Sequence, residues 1–179
     1  MVMSMVNELK SRRQQVGRQM EEGSVMVLFA GNIVKYSNDM EYDFQVSRNF
    51  YYLTHVDTAG TVLVMYKKNE ILQEFLFVPR RTAHYEMYYG MQETFAMYRD
   101  QSQIEAVIYA EELEEFWEGM ALMKPFSAFY IADSGGSPQH MPSAEKEFAR
   151  KMKALFPELP IKNMDYAIRN MRLIKSEAE

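Results

Sequence analysis

Three histidines, His55, His84 and His140, are the first candidates for chemistry in this chain, because imidazole acts as general base and metal ligand near neutral pH. They stand far apart in sequence. None forms a His-x-x-x-His pair or adjoins carboxylates at ligand spacing, so no metal centre is expected from them. His84 and Glu86 lie two apart, which on a strand would place both on one face. That motif is too short to be specific, and the polar edge of a surface segment is the better reading. His55 reads as a turn residue. Asp133-Ser134-Gly135-Gly136-Ser137 could present backbone amides to an anion. It lacks the Lys-Ser/Thr of a phosphate loop and the spacing of a dinucleotide fingerprint, and reads as a flexible connection. No serine sits in a nucleophile-elbow pattern. The chain has no Cys, which removes disulfides, thiolate zinc sites and a cysteine nucleophile together.

The tyrosines of the segment before Gly90 differ in kind. Tyr85, Tyr88 and Tyr89 crowd a short stretch just after Arg80-Arg81, and aromatics with polar tips in a loop are typical of contact surfaces. Ordinary packing is the competing reading. The run of glutamates between Glu111 and Glu118 is most simply a solvated helix face.

The elements that must position these residues belong to a chain of 179 residues and 21.1 kDa, one domain that buries roughly 70% of its unfolded surface. Hydrophobic residues make up 47% and charged residues 25%, a globular balance rather than a disordered one. The net charge of -5 and pI near 5.4 give no electrostatic ground for nucleic acid, which demands clustered Lys and Arg. Arg12-Arg13, Lys67-Lys68 and Arg80-Arg81 are scattered. No apolar run approaches the ~20 residues of a membrane span, and Met1 to Met5 is too short for a secretory core. A reducing cytoplasm is the expected location.

Leu9, Arg13 with its aliphatic stem, Val16 and Met20 recur at helical spacing, predicting a helix over 7–22 capped by Gly23. Val25 to Ala30 is a continuous apolar run, predicting a strand buried on both faces. Phe50 to Val56 and Thr61 to Tyr66 are predicted as two more strands, with Glu74 to Val78 closing a hairpin. A helix over 110–123 buries Leu113, Phe116, Trp117 and Met120. Ala128 to Ala132 is a strand, Ala144 to Leu155 a helix stopped by Pro157 and Pro160, and Ile161 to Met164 a short final strand. Alternating helices and apolar strands predict an α/β layer structure with a mixed sheet of five or six strands flanked by helices.

Several short stretches occur in a telling order: Ser37-Asn38-Asp39, Tyr42-Asp43-Phe44, Asn49-Phe50-Tyr51-Tyr52-Leu53-Thr54, Phe77-Val78-Pro79-Arg80-Arg81, Glu86-Met87-Tyr88-Tyr89-Gly90 and Met171-Arg172-Leu173-Ile174-Lys175-Ser176-Glu177. In order and spacing they resemble the amino-terminal domain of the aminopeptidase P, prolidase and creatinase family, over nearly the whole chain. The resemblance implies a creatinase-like amino-terminal fold related in shape to ribonuclease H. It implies a domain over 1–165, with 166–179 forming a linker and the start of a catalytic pita-bread domain. In that following domain two divalent metals, commonly manganese, are held by Asp, His and Glu ligands, so no catalytic or metal residue is expected here. The family often has Gly at His55, Asp at Asn49, Arg at Gln45 and Trp at Tyr88. In aminopeptidase P that Trp reaches from a neighbouring subunit toward the substrate pocket, which makes Tyr88, with Tyr89 beside it, the substrate-access candidate.

The expected function is therefore that of a non-catalytic amino-terminal domain in a cytoplasmic, homo-oligomeric Xaa-Pro aminopeptidase or dipeptidase. The parent would hydrolyse the bond before proline in short peptides, and this domain would supply subunit contacts and part of the active-site entrance. No nucleic acid and no membrane partner is expected. The rival expectation is an interaction module, stand-alone or part of an inactive relative, that uses the same fold without hydrolysis.

Overall fold

The computed structural model describes residues 2–34, 42–81, 86–87, 90–91, 93–123, 126–135 and 143–175. Among them six strands form one mixed sheet in the order β4-β3-β2-β1-β5-β6. The strands are β1 (Val25–Phe29), β2 (Val62–Lys68), β3 (Ile71–Val78), β4 (Ala106–Tyr109), β5 (Phe129–Ile131) and β6 (Ile161–Asn163). β1, β2 and β3 run antiparallel in turn, while β4 joins β3 and β5 and β6 extend β1 in parallel. The helices are α1 (Val2–Gln19), α2 (Arg48–Thr54), α3 (Phe95–Ser102), α4 (Leu113–Met123), α5 (Ala144–Leu155) and α6 (Asp165–Leu173).

Period-two alternation sorts the sheet into two cores. Met26, Leu28, Leu63, Met65, Leu76 and Val78 face Val16 of α1, Phe50 and Leu53 of α2, Tyr98 of α3 and Ile168 of α6. Val25, Val27, Val62, Val64, Phe77 and Phe129 face Trp117 and Met120 of α4 and Phe148 and Met152 of α5. The second core is aromatic: Trp117 and Phe148 lie 5.6 Å apart, and Phe126 and Phe129 5.2 Å. The α/β sandwich and mixed sheet expected from the sequence are present, with six strands.

One predicted strand is a helix. Phe50 to Val56 was expected to be extended, because aromatic and β-branched residues fit a pleated surface. Instead, residues 48–54 form α2. The decisive signal is spacing: Asn49, Phe50, Leu53 and Thr54 are buried while Tyr51 points to solvent, a face of period 3.6 rather than 2. The helix ends on His55, whose φ of 56° is left-handed and whose N–H donates to Tyr51 O. Glycine would adopt this conformation without the Cβ penalty that His55 bears. His55 instead stacks its ring on Tyr51, centroids 5.1 Å apart.

Smaller differences have similar causes. α1 stops at Gln19, and Gly23 takes a φ of 75° in the turn into β1. The hairpin strands run longer than predicted, leaving only Asn69 and Glu70 in the turn, both at positive φ. The Glu22 carboxylate accepts the N–H of each and steadies that turn. The helix predicted over 110–123 begins with a 3-10 turn, Ala110–Glu112. α3 and β4 had no counterpart in the sequence reading, since Phe95 to Tyr109 mixes polar and apolar residues without a clear period.

Arg13 sits within the first core at 0% exposure. Its Nη1 donates to Leu53 O at 2.8 Å and Ser102 O at 2.9 Å, and its Nη2 to Gln103 O at 3.2 Å. Its Nε stands 3.0 Å from Glu74, near enough to neutralise charge although the N–H is not aligned for a hydrogen bond. Arg13→Met would leave the partly buried Glu74 carboxylate and three carbonyls without their cation, and is expected to cost about 3–5 kcal/mol. The exposed Glu114→Ala is expected to cost about 0.5 kcal/mol or less. Urea unfolding of both variants measures this, and equal losses would show that Arg13 does not tie these elements together.

Candidate functional site

The carboxyl ends of β1 and β5 open into a cavity of about 990 Å³, the place where open α/β sheets usually receive ligands. The starts of α2, α5 and α6 surround it, contributed by Ser47, Arg48, Asn49, Ser143, Glu145 and Asp165. Its floor is a hydrogen-bonded network. The Asn49 side-chain amide donates to Asp165 Oδ1 at 2.7 Å, and Arg172 Nη1 donates to Asn49 Oδ1 at 2.8 Å. Asn49 and Asp165 are both buried, so each needs a partner. The Asp165 N–H donates to Asn163 Oδ1, and Asn163 Nδ2 to Asp133 O, which fastens β6 to the end of β5.

Three carboxyl groups, Asp133, Glu145 and Asp165, share this region. Burial raises the Glu145 pKa above its ordinary value, and the Asp133 and Asp165 carboxylates push it the same way. Asp133 is within 3.9 Å of Lys146 and accepts from the Gly135 N–H. Among the described residues no group of three or more His, Cys, Asp or Glu could hold a metal ion. The Ser143 hydroxyl hydrogen-bonds the Glu145 side chain within the same cavity.

The network joins two stretches that the sequence analysis singled out 120 residues apart. Asn49 opens one and Arg172 belongs to the other; in addition, the Tyr52 hydroxyl donates to Met171 O at 3.2 Å. The expected boundary at residue 165 falls at the start of α6, whose inner face supplies Ile168 to the first core. Sequence alone distinguishes neither Asn49 nor Asp165 as a site residue. The available signal was polarity: Asn49 heads a buried apolar helix, and Asp165 is the first residue of another.

Tyr88 and Tyr89, with Tyr85, His84 and His140, lie outside the described residues. Beside their segment, Met87 and Met91 are exposed, and the Glu93 carboxylate accepts from Thr58 Oγ1 at 2.8 Å. Tyr98 donates in turn to that hydroxyl at 3.3 Å. Burial pushes the Tyr98 phenol from 10.0 up to about 12, the Thr58 hydrogen bond works against this, and Glu93 adds to it.

Two measurements test this geometry. In a double-mutant cycle, Asn49→Ala and Arg172→Ala are expected to couple by about 0.5–3 kcal/mol in unfolding free energy, and strict additivity would dissolve the network. The Tyr98 phenol keeps its proton more tightly folded than unfolded, so its contribution is complete below pH 10.0 and lost as pH rises through about 12. Tyr98→Phe is expected to be less stable than the parent chain below pH 10.0, with the gap closing across that window. A gap independent of pH would remove the phenol from the account.

Comparison with known proteins follows the same lines. Residues 9–125 match the profile of the family described as the aminopeptidase P, N-terminal domain. Xaa-Pro aminopeptidase 3 of Dictyostelium discoideum is 34% identical over 86 residues, which are 48% of this chain and 17% of that protein. A Bacillus anthracis protein assigned as an aminopeptidase P has the same fold, with a TM-score of 0.90 at 22% identity, over 97% of this chain and 41% of that one. The low-pH form of aminopeptidase P from E. coli gives 0.79 at 21% identity, over 97% of this chain and 40% of that one. The chain thus spans about two fifths of the length of these structures. With its profile match covering well over half of its length, the chain belongs to the aminopeptidase P N-terminal domain family.

Proposed function

We propose that this chain is the amino-terminal domain of a metal-dependent Xaa-Pro aminopeptidase or dipeptidase, and that it positions subunits and shapes substrate access rather than performing hydrolysis. The observation that carries this reading is the profile match over residues 9–125. The parent would cleave the bond before proline in short peptides, in the cytoplasm and as a homo-oligomer. The following domain would hold two divalent metals, manganese being the favoured ion, which polarise the scissile carbonyl and supply the attacking water.

Within this division of labour the segment carrying Tyr88 and Tyr89 reaches toward a neighbouring subunit's active site. The exposed Met87 and Met91 beside it support that role, since flexible thioethers adapt well to a partner surface.

Kinetics on the full-length protein test the proposal. Tyr88→Ala is expected to lower kcat/KM toward Xaa-Pro peptides roughly five- to thirtyfold, from a lost aromatic contact of ~1–2 kcal/mol, with metal content unchanged. Tyr85→Ala is the control and is expected to do less. A full-length protein that binds two metals yet cleaves no Xaa-Pro peptide would move the chain to the interaction-module reading. Unchanged kinetics for Tyr88→Ala would remove that residue from substrate access.

A further inference from the structure

The residues that flank the stretch carrying Tyr88 and Tyr89 meet on one aromatic ring. Val78, the last residue of β3, lies opposite Tyr109, the last residue of β4, in the parallel ladder. Just beyond Val78, the Arg80 guanidinium sits over the Tyr109 ring, 4.0 Å from its centroid. Phe95, which opens α3, reaches the same ring, with centroids 4.6 Å apart and planes inclined at 51°. Thr94 caps that helix by accepting the Met97 N–H, so the helix itself fixes the place of Phe95. Phe95 and Tyr109 both pack against the first core, while Arg80 is exposed.

A second tie lies beside the first. Thr58 Oγ1 donates to the Glu93 carboxylate at 2.8 Å and accepts from the Tyr98 hydroxyl at 3.3 Å. Tyr98 is 1% exposed, so this tie too is rooted in the core. The loop that holds Thr58 also touches the other flank, because a Cβ built on Gly60 would meet Pro79 at 3.8 Å. A chain of about 15 residues, the separation of Arg80 from Phe95, could reach ~50 Å when extended. Here both ends rest on one side chain, so the entropy of closing the loop is lost in folding and not in binding. A contact residue adds to binding only as far as its supporting residues place it beforehand.

We propose that Tyr109 is a positioning residue for peptide binding. By taking Arg80 and Phe95 together it sets the base of the stretch between them, with the Thr58 to Glu93 bond as a second fastening, and it acts on substrate through Tyr88. The ligand served is the short proline-containing peptide of the parent enzyme, so the inference rests on the substrate-access reading above. An exposed cation–π contact adds little to global stability, yet it fixes the direction in which the chain leaves β3. That combination separates positioning from plain packing.

Steady-state kinetics and tryptic cleavage of the full-length protein test this. Tyr109→Ala is expected to raise KM for Xaa-Pro peptides about fivefold and to leave kcat within about twofold, the mark of lost binding shared by ground and transition states. Tyr109→Phe keeps the ring and is expected to match the parent. Trypsin is expected to cut after Arg80 and Arg81 about tenfold faster in Tyr109→Ala, because loosened backbone enters a protease more readily. Phe116→Ala is the control. It removes a ring packed against the second core, 5.0 Å from both Phe75 and Phe77, and is expected to change neither KM nor cleavage at Arg80. In a protein that already carries Tyr88→Ala, Tyr109→Ala is expected to raise KM no further, since two residues acting as one unit are not additive. An unchanged KM in Tyr109→Ala beside a raised KM in Tyr88→Ala overturns the inference alone. A KM raised equally by Phe116→Ala also overturns it, since lost stability would then account for the effect. An unchanged KM in both Tyr88→Ala and Tyr109→Ala overturns the substrate-access reading and the inference with it.

Discussion

Arg13 is the contact on which the rest of the first core depends. Its guanidinium reaches the carbonyls of Leu53 at the end of α2 and of Ser102 and Gln103 at the end of α3. Both helices direct the negative ends of their dipoles at one cation, and Glu74 on β3 completes the neutralisation. A charge at 0% exposure is tolerable when it is neutralised and hydrogen-bonded, here through both Nη groups. The planar fork of arginine can serve carbonyls from several directions, which a lysine could not. One side chain of α1 thus fixes where α2 and α3 end, and those ends place His55 and the Tyr98 relay.

The position of α2 has consequences at its other end. Asn49 in the first turn holds Asp165 and Arg172, so the helix that Arg13 anchors at its carboxyl end anchors α6 at its amino end. The cavity between α2, α5 and α6 is a product of the same arrangement. Polar groups there are joined to one another: Asp165 accepts from Asn49, Asp133 faces Lys146 and the Gly135 N–H, and Glu145 hydrogen-bonds Ser143. Such a site resists deformation, which suits a domain whose proposed task is to hold other surfaces in place.

The two faces of the sheet divide the work. The core under α4 and α5 is built of aromatic and aliphatic side chains and contributes packing. The core under α1, α2, α3 and α6 carries the buried arginine, the asparagine–aspartate pair and the tyrosine relay. Directional bonds specify geometry more sharply than apolar burial does.

The sequence by itself determined the layer architecture, because the apolar run of β1, the hairpin around Asn69 and the stripes of α1, α4 and α5 depend on local period and turn chemistry alone. Through the order of its short motifs it also determined the family. It misassigned α2, where aromatic composition argued for a strand and burial on one helical face prevailed. It left out α3 and β4, whose mixed pattern becomes legible only once Tyr98, Ile104 and Val107 enter the core. Tertiary structure alone decided that Arg13 would be a hub and that Asn49 would meet Arg172. Those facts arise from contacts between residues 40 to 123 positions apart, and no local pattern records which distant partner a polar side chain will find.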